Sequence, residues 1–189
     1  MKRGALSRNG IGAVPLILAL VLVLAGATLL YRNWQQEQEV TKSETGATAW
    51  SSGSRTAPAF SLKDTNGNIY SSAQLAGKPA AINFFATWCP ACREEIPGFV
   101  EVYNKHKEKG FELIGISLDT DTRENLPGFM MNNKIGYKIL FGDLATARAY
   151  GGVSALPTTF FVGKDGVIKN VHVGYMDKDA FDREVKKLL

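Results

Sequence analysis

The 189-residue chain has two cysteines and two histidines, and that scarcity excludes several kinds of protein. A structural zinc site takes about four nitrogen or sulfur ligands. Here Cys89, Cys92, His106 and His172 would all have to converge from positions without ligand spacing, so no metal site is expected. A disulfide framework is an equally poor reading, because a bridge between Cys89 and Cys92 closes too short a loop to restrict the unfolded chain much. No internal repeat is present. Most of the net charge of +4 resides in the N-terminal segment, since from Ala57 onward sixteen Lys/Arg face fifteen Asp/Glu, a net of +1. Without a basic patch interleaved with aromatics, nucleic acid is not an expected partner.

Charge is missing altogether from Ile11 to Tyr31, a run of Leu, Val, Ile, Ala and Gly. As a helix it would be about 31 Å long, enough to cross a bilayer core of about 30 Å. Lys2, Arg3 and Arg8 precede it, which places the N-terminus in the cytoplasm and the rest of the chain across the membrane. Ala25-Gly26-Ala27 also fits a signal-peptide cleavage site, so residues 11–31 are expected to be a transmembrane anchor or a signal sequence; either exports the remainder of the chain. The expected organisation is a cytoplasmic N-terminus (1–10), the apolar segment (11–31), a polar linker (32–56) and one folded domain (57–189).

Within that domain, Phe60–Leu62 and Ile69–Ser71 flank a polar Gly-containing turn and read as a hairpin. Ala80–Ala86 and Phe111–Leu118 are short apolar runs typical of buried parallel strands. Helical spacing of Ile96, Phe99, Val100 and Tyr103 predicts a helix from Pro90 to about Lys109, kinked at Pro97 and closed by Gly110. Further elements are expected at Thr122–Lys134 (helix), Lys138–Phe141 (strand) and Asp143–Tyr150 (helix). Thr158–Val162 and Val167–Val173 then form a hairpin across an Asp-Gly turn, before a last helix capped by Asp177. This order predicts an α/β fold with a mixed central sheet flanked by helices.

The cysteines open the first of these helices, as Trp88-Cys-Pro-Ala-Cys92. Disulfide exchange needs a stabilised thiolate and a second thiol within reach to resolve the mixed disulfide. Free N–H groups and the helix dipole at a helix N-terminus favour the thiolate of Cys89, and Cys92 lies one turn along. Cys89 is thus the expected exposed nucleophile and Cys92 the more buried resolving thiol, with Trp88 shielding the pair.

Four segments are more specific still: Ala57-Pro-Ala-Phe-Ser-Leu62; Gly77-Lys-Pro79 together with Asn83-Phe-Phe-Ala-Thr-Trp-Cys-Pro-Ala-Cys-Arg-Glu-Glu-Ile-Pro97; Ala155-Leu-Pro-Thr-Thr-Phe160; and Lys164-Asp-Gly-Val-Ile168. In these, residues 57–189 resemble the TlpA/ResA-like branch of the thioredoxin superfamily, related to the AhpC/TSA redoxins. The resemblance implies a thioredoxin fold with an N-terminal β-hairpin extension, a redox-active Cys89–Cys92 disulfide and no other cofactor. It implies that Pro157 is a cis-proline opposite the disulfide, and that Trp88, Pro90, Ala91, Leu156 and Pro157 shape the substrate surface. Glu95 falls on the family's acidic position, where a carboxylate relays protons to or from Cys92; a plain first-turn glutamate is the alternative. Asn83 stands where cytoplasmic thioredoxins carry a buried aspartate and cannot act as a base. Peroxidase chemistry is disfavoured, because Thr87 lies two residues before Cys89, where peroxiredoxins place their threonine three before.

The implied activity is reduction of disulfides in exported proteins, such as apocytochrome c, with electrons from a membrane donor of the DsbD/CcdA type. A disulfide-donating oxidase of the DsbA kind and a non-catalytic binding module remain alternatives.

Overall fold

A computed structural model describes residues 26–28, which are helical, and residues 55–189. Among the described residues no helix is long and apolar enough to cross a membrane. The expected anchor at 11–31, apart from residues 26–28, lies outside the described residues, as does the linker up to residue 54.

The domain is a six-stranded mixed sheet in the order β1-β8-β7-β4-β5-β6. Its strands are β1 (Arg55–Thr56), β4 (Ala80–Phe85), β5 (Glu112–Ser117), β6 (Lys138–Phe141), β7 (Thr158–Val162) and β8 (Val167–Val173). β4, β5 and β6 run parallel, while β7 pairs antiparallel with both β4 and β8. A separate hairpin, β2 (Ser61–Lys63) with β3 (Ile69–Ser71), precedes β4 and touches β6 through a single bridge from Asp64 to Leu140. The sheet also takes in Arg55 and Thr56, placed in the linker by composition; they pair with Ile168 and Val167 of β8.

Period-two alternation along β4 sorts its side chains between two cores. Ala80, Ile82 and Phe84 join Phe60, Leu62, Ile114, Tyr150 and Phe160 on one face. Ala81 and Phe85 join the other, built around α1 (Pro90–His106) and α4 (Lys178–Leu188). There Phe99 of α1 stacks on Phe181 of α4 with ring centroids 3.7 Å apart. Asn83, between Ala81 and Phe85, shares their parity and so faces α1. It is the one polar side chain of β4, and it is buried.

α1 continues through Pro97 to His106, followed by a 3-10 turn and Gly110 in the left-handed region (φ 83°) that ends it. The helix expected over 122–134 is divided: a 3-10 turn at Arg123–Asn125 leads into α2 (Leu126–Asn132). Pro127 is the cause, for it lacks an N–H and disfavours helical geometry in the residue before it, so it sits only in a helix's first turn. α3 (Leu144–Ala149) and α4 begin with Asp143 and Asp177 accepting from the Thr146 and Ala180 N–H groups at 2.7 and 2.8 Å.

Candidate active site

β4 ends at Phe85, and Ala86, Thr87 and Trp88 carry the chain beyond the carboxyl end of this central strand into α1. Cys89 caps that helix: its backbone is extended (φ −81°, ψ 116°), and its Sγ accepts from the Cys92 N–H at 3.2 Å. Pro90 follows in the first turn, where its missing donor costs nothing. Cys89 and Cys92 form a disulfide. Both sulfurs belong to the core cluster on the α1 face; Cys92 is fully covered and Cys89 is 4 % exposed. Cys89 is therefore less open than the sequence suggested, because in the oxidised state its sulfur turns inward to Cys92. Trp88 beside it is 61 % exposed. Pro90 is exposed and Ala91 half-buried.

The Leu156–Pro157 bond is cis. Pro157 is buried, and the half-buried Leu156 packs against the cluster holding both cysteines. On the other flank, Trp88, Arg93, Asn125 and Phe129 line an open groove of about 500 Å³ between the start of α1 and α2.

Glu95 lies three residues after Cys92, on the same face of α1, and is 2 % exposed. Its Oε1 accepts from Asn83 Nδ2 at 2.9 Å and its Oε2 from the Met176 N–H at 3.2 Å. Asn83 Nδ2 also donates to Thr159 Oγ1 at 3.0 Å. Burial pushes the Glu95 carboxyl up to about 8, and the two hydrogen bonds only partly oppose it. A first-turn glutamate serving the helix dipole would be solvated, as the neighbouring Glu94 is. The Glu95 charge in turn raises the pKa of Tyr137, which is pushed up mainly by its own burial.

A second buried carboxylate, Asp119, carries no motif and was not anticipated. Fully buried just past β5, it accepts from the Thr87 N–H (3.0 Å), Thr87 Oγ1 (2.6 Å), Ser117 Oγ (2.7 Å) and Thr122 Oγ1. Burial alone would raise its pKa; the Thr122, Thr87 and Ser117 hydroxyls and the Thr87 N–H outweigh it and hold it below the usual range. Asp119 thus ties the turn carrying Trp88 and Cys89 to the end of β5. The local signal was a strand end followed by Ser117, Asp119 and Thr122, the residue types that bind neighbouring backbone. Asp119→Ala strands three hydroxyls and one N–H, and the expected loss is about 3 kcal/mol of stability, read from urea unfolding at pH 7. A loss below about 0.5 kcal/mol would show that these groups find other partners.

A model of the AhpC/TSA family matches residues 54–171. The chain belongs to the AhpC/TSA family. As a member, it is 31 % identical to the thiol-disulfide oxidoreductase ResA of Bacillus anthracis over 173 residues, covering 89 % of this chain and 92 % of that one. It is 28 % identical to the thioredoxin-like protein YneN of Bacillus subtilis over 167 residues, covering 88 % and 93 %. Among solved structures, a thiol:disulfide interchange protein of the thioredoxin family from Chlorobium tepidum matches at TM-score 0.67 and 36 % identity, over 72 % of this chain and 97 % of that one. A secreted Mycobacterium tuberculosis disulfide oxidoreductase homologous to E. coli DsbE matches at TM-score 0.60 and 25 % identity, over 68 % and 96 %. This AhpC/TSA-family chain is accordingly a thioredoxin-fold thiol–disulfide oxidoreductase of the ResA/DsbE type, with Cys89 and Cys92 as its disulfide pair.

Proposed function

We propose that the chain is a membrane-anchored, extracytoplasmic protein-disulfide reductase in which Cys89 attacks, Cys92 resolves and Glu95 carries the proton. The observation that supports this most is the burial of Glu95 three residues beyond a disulfide at the start of α1. In the reduced enzyme the Cys89 thiolate, favoured by the free N–H groups of α1, attacks one sulfur of the substrate disulfide. A Cys89–substrate bond forms and the other substrate sulfur leaves as a thiolate. Cys92 then gives its proton to the Glu95 carboxylate and attacks Cys89 Sγ, forming the Cys89–Cys92 disulfide and releasing the second substrate sulfur. Two electrons pass from enzyme to substrate. Raised to about 8 by burial, the Glu95 carboxyl holds a proton far more readily than an ordinary carboxyl and is suited to take one from a thiol.

Trp88, Pro90, Ala91, Leu156 and Pro157 form the docking surface, and the groove beside Trp88 takes chain flanking the substrate cysteine. A mobile polypeptide with paired thiols, such as apocytochrome c, suits that open surface. The uncharged 11–31 stretch holds the domain on the outer side of the membrane, where no soluble thiol pool regenerates the dithiol. Re-reduction then falls to a membrane donor of the DsbD/CcdA type. The test is a trap: Cys92→Ala in the full-length chain leaves the mixed disulfide unresolved. Exported cysteine proteins, apocytochrome c among them, are the expected covalent partners at Cys89 in the membrane fraction. Partners confined to the cytoplasm, or none, would overturn the reading.

A further inference from the structure

The Asn83 amide has a donor used twice and an acceptor not used at all. Nδ2 serves both Glu95 Oε1 and Thr159 Oγ1, while Oδ1 is buried without a hydrogen-bond partner among the described residues. A buried carbonyl left bare is destabilising by about 1–3 kcal/mol, so its survival at this site calls for a reason.

The reason lies in what surrounds Glu95. As a carboxylate it needs donors, and its two partners, Asn83 Nδ2 and the Met176 N–H, are both donors. As a carboxylic acid it has a proton to give and needs an acceptor. Of those two partners, only the Asn83 amide has one to offer. The Asn83 backbone is held between Gly115 of β5 and Thr159 of β7, so the Cα cannot shift. Rotation about the last side-chain bond is a soft torsion that exchanges Oδ1 and Nδ2 in place. Turned, Oδ1 accepts from the Glu95 O–H and from the Thr159 hydroxyl, which can donate as readily as it accepts.

We infer that Asn83 is a positioning residue for the redox step: its amide turns end for end as Glu95 gains or loses its proton, so the carboxyl is hydrogen-bonded in both states. This rests on the reading of Glu95 as the proton carrier for Cys92 and extends it to the group that lets Glu95 cycle. An aspartate at 83 would put two buried carboxyls 2.9 Å apart, and such pairs share one proton. A leucine would offer neither donor nor acceptor. Among the described residues Tyr137, ahead of β6, feels the Glu95 charge, and Cys92 lies three positions before Glu95 in α1. His106, also in α1, lies about three turns away, at its far end.

The test follows side-chain NMR signals of Asn83 and Glu95 in the oxidised, isotope-labelled full-length chain in detergent, from pH 5 to 10. The Asn83 amide signals are expected to move through one transition at the Glu95 midpoint, and to stay flat in Glu95→Gln. In Asn83→Leu the midpoint is expected to rise by about one pH unit, a tenfold gain in proton affinity. It rises because the hydrogen bond lost to the charged form is stronger than the one lost to the neutral form. Flat Asn83 signals while Glu95 titrates, or an unmoved midpoint in a folded Asn83→Leu, would overturn the inference and leave the role of Glu95 standing. If the leucine variant does not fold, the wild-type signals decide by themselves. A Glu95 that never titrates in this range would overturn both readings.

Discussion

Cys89→Ser is expected to lower insulin reduction in the presence of dithiothreitol to the rate of dithiothreitol alone, a loss of at least about a thousandfold in the catalysed rate. The thiolate is the nucleophile in disulfide exchange, and a serine hydroxyl neither ionises near neutral pH nor forms a redox bond with Cys92. The substitution also separates chemistry from folding. Cys89 caps α1 by accepting from the Cys92 N–H at 3.2 Å, and serine is among the strongest helix-capping residues. Compared under reducing conditions, where neither protein has a disulfide, wild type and Cys89→Ser should differ by no more than about 1 kcal/mol in urea unfolding. A folded Cys89→Ser with wild-type turnover would return the domain to a non-catalytic binding module.

Glu95→Gln is expected to remove a pH dependence of stability that the oxidised wild type shows. The folded-state pKa of Glu95 is raised to about 8 from an ordinary 4.5, chiefly by burial. Between these values the unfolded chain has released the proton and the folded chain retains it, so stability falls as pH rises. The slope is about 1.4 kcal/mol per pH unit, levelling off above pH 8 and absent below 4.5. Glutamine has the shape of the protonated carboxyl and never ionises, so the variant should overtake wild type near pH 8 by several kcal/mol. Unfolding midpoints in urea from pH 5 to 9 check this; parallel curves for the two proteins would contradict a high Glu95 pKa. On the catalytic side, the same variant should resolve mixed disulfides about 100-fold more slowly, the usual scale of a lost proton-transfer group. Asp119, by contrast, is held low by its hydroxyl partners, so its stabilisation is present above the ordinary aspartate pKa and is lost only as pH falls below it.

Local patterns carried most of this fold into the sequence. β4 is an apolar run broken only by Asn83, β5 is apolar between Glu112 and Ser117, α4 opens on a capping aspartate, and the final hairpin turns on Asp165-Gly166. The cysteines were legible because their chemistry needs only a spacing of three and a helix start. Contacts spanning the chain were not legible. Glu95 meets Asn83, twelve positions away, and the Met176 N–H, eighty-one away; no spacing signals either. Asp119 reaches back thirty-two positions to Thr87, and its neighbours look like an ordinary polar loop. β1 escaped notice because Arg55 and Thr56 are both exposed and pair with β8, more than a hundred positions on in the chain. Pro127 was in plain view, yet the apolar residues around it kept a helical period that a single ring divides.

If electrons leave Cys89 and Cys92 for a substrate disulfide, the reduction potential of that couple must lie in the reducing range. Equilibration of the full-length chain with glutathione redox buffers at pH 7 should place it below about −200 mV, in the range of reductants. A value near −120 mV would make the chain a disulfide donor and contradict the proposed direction of transfer.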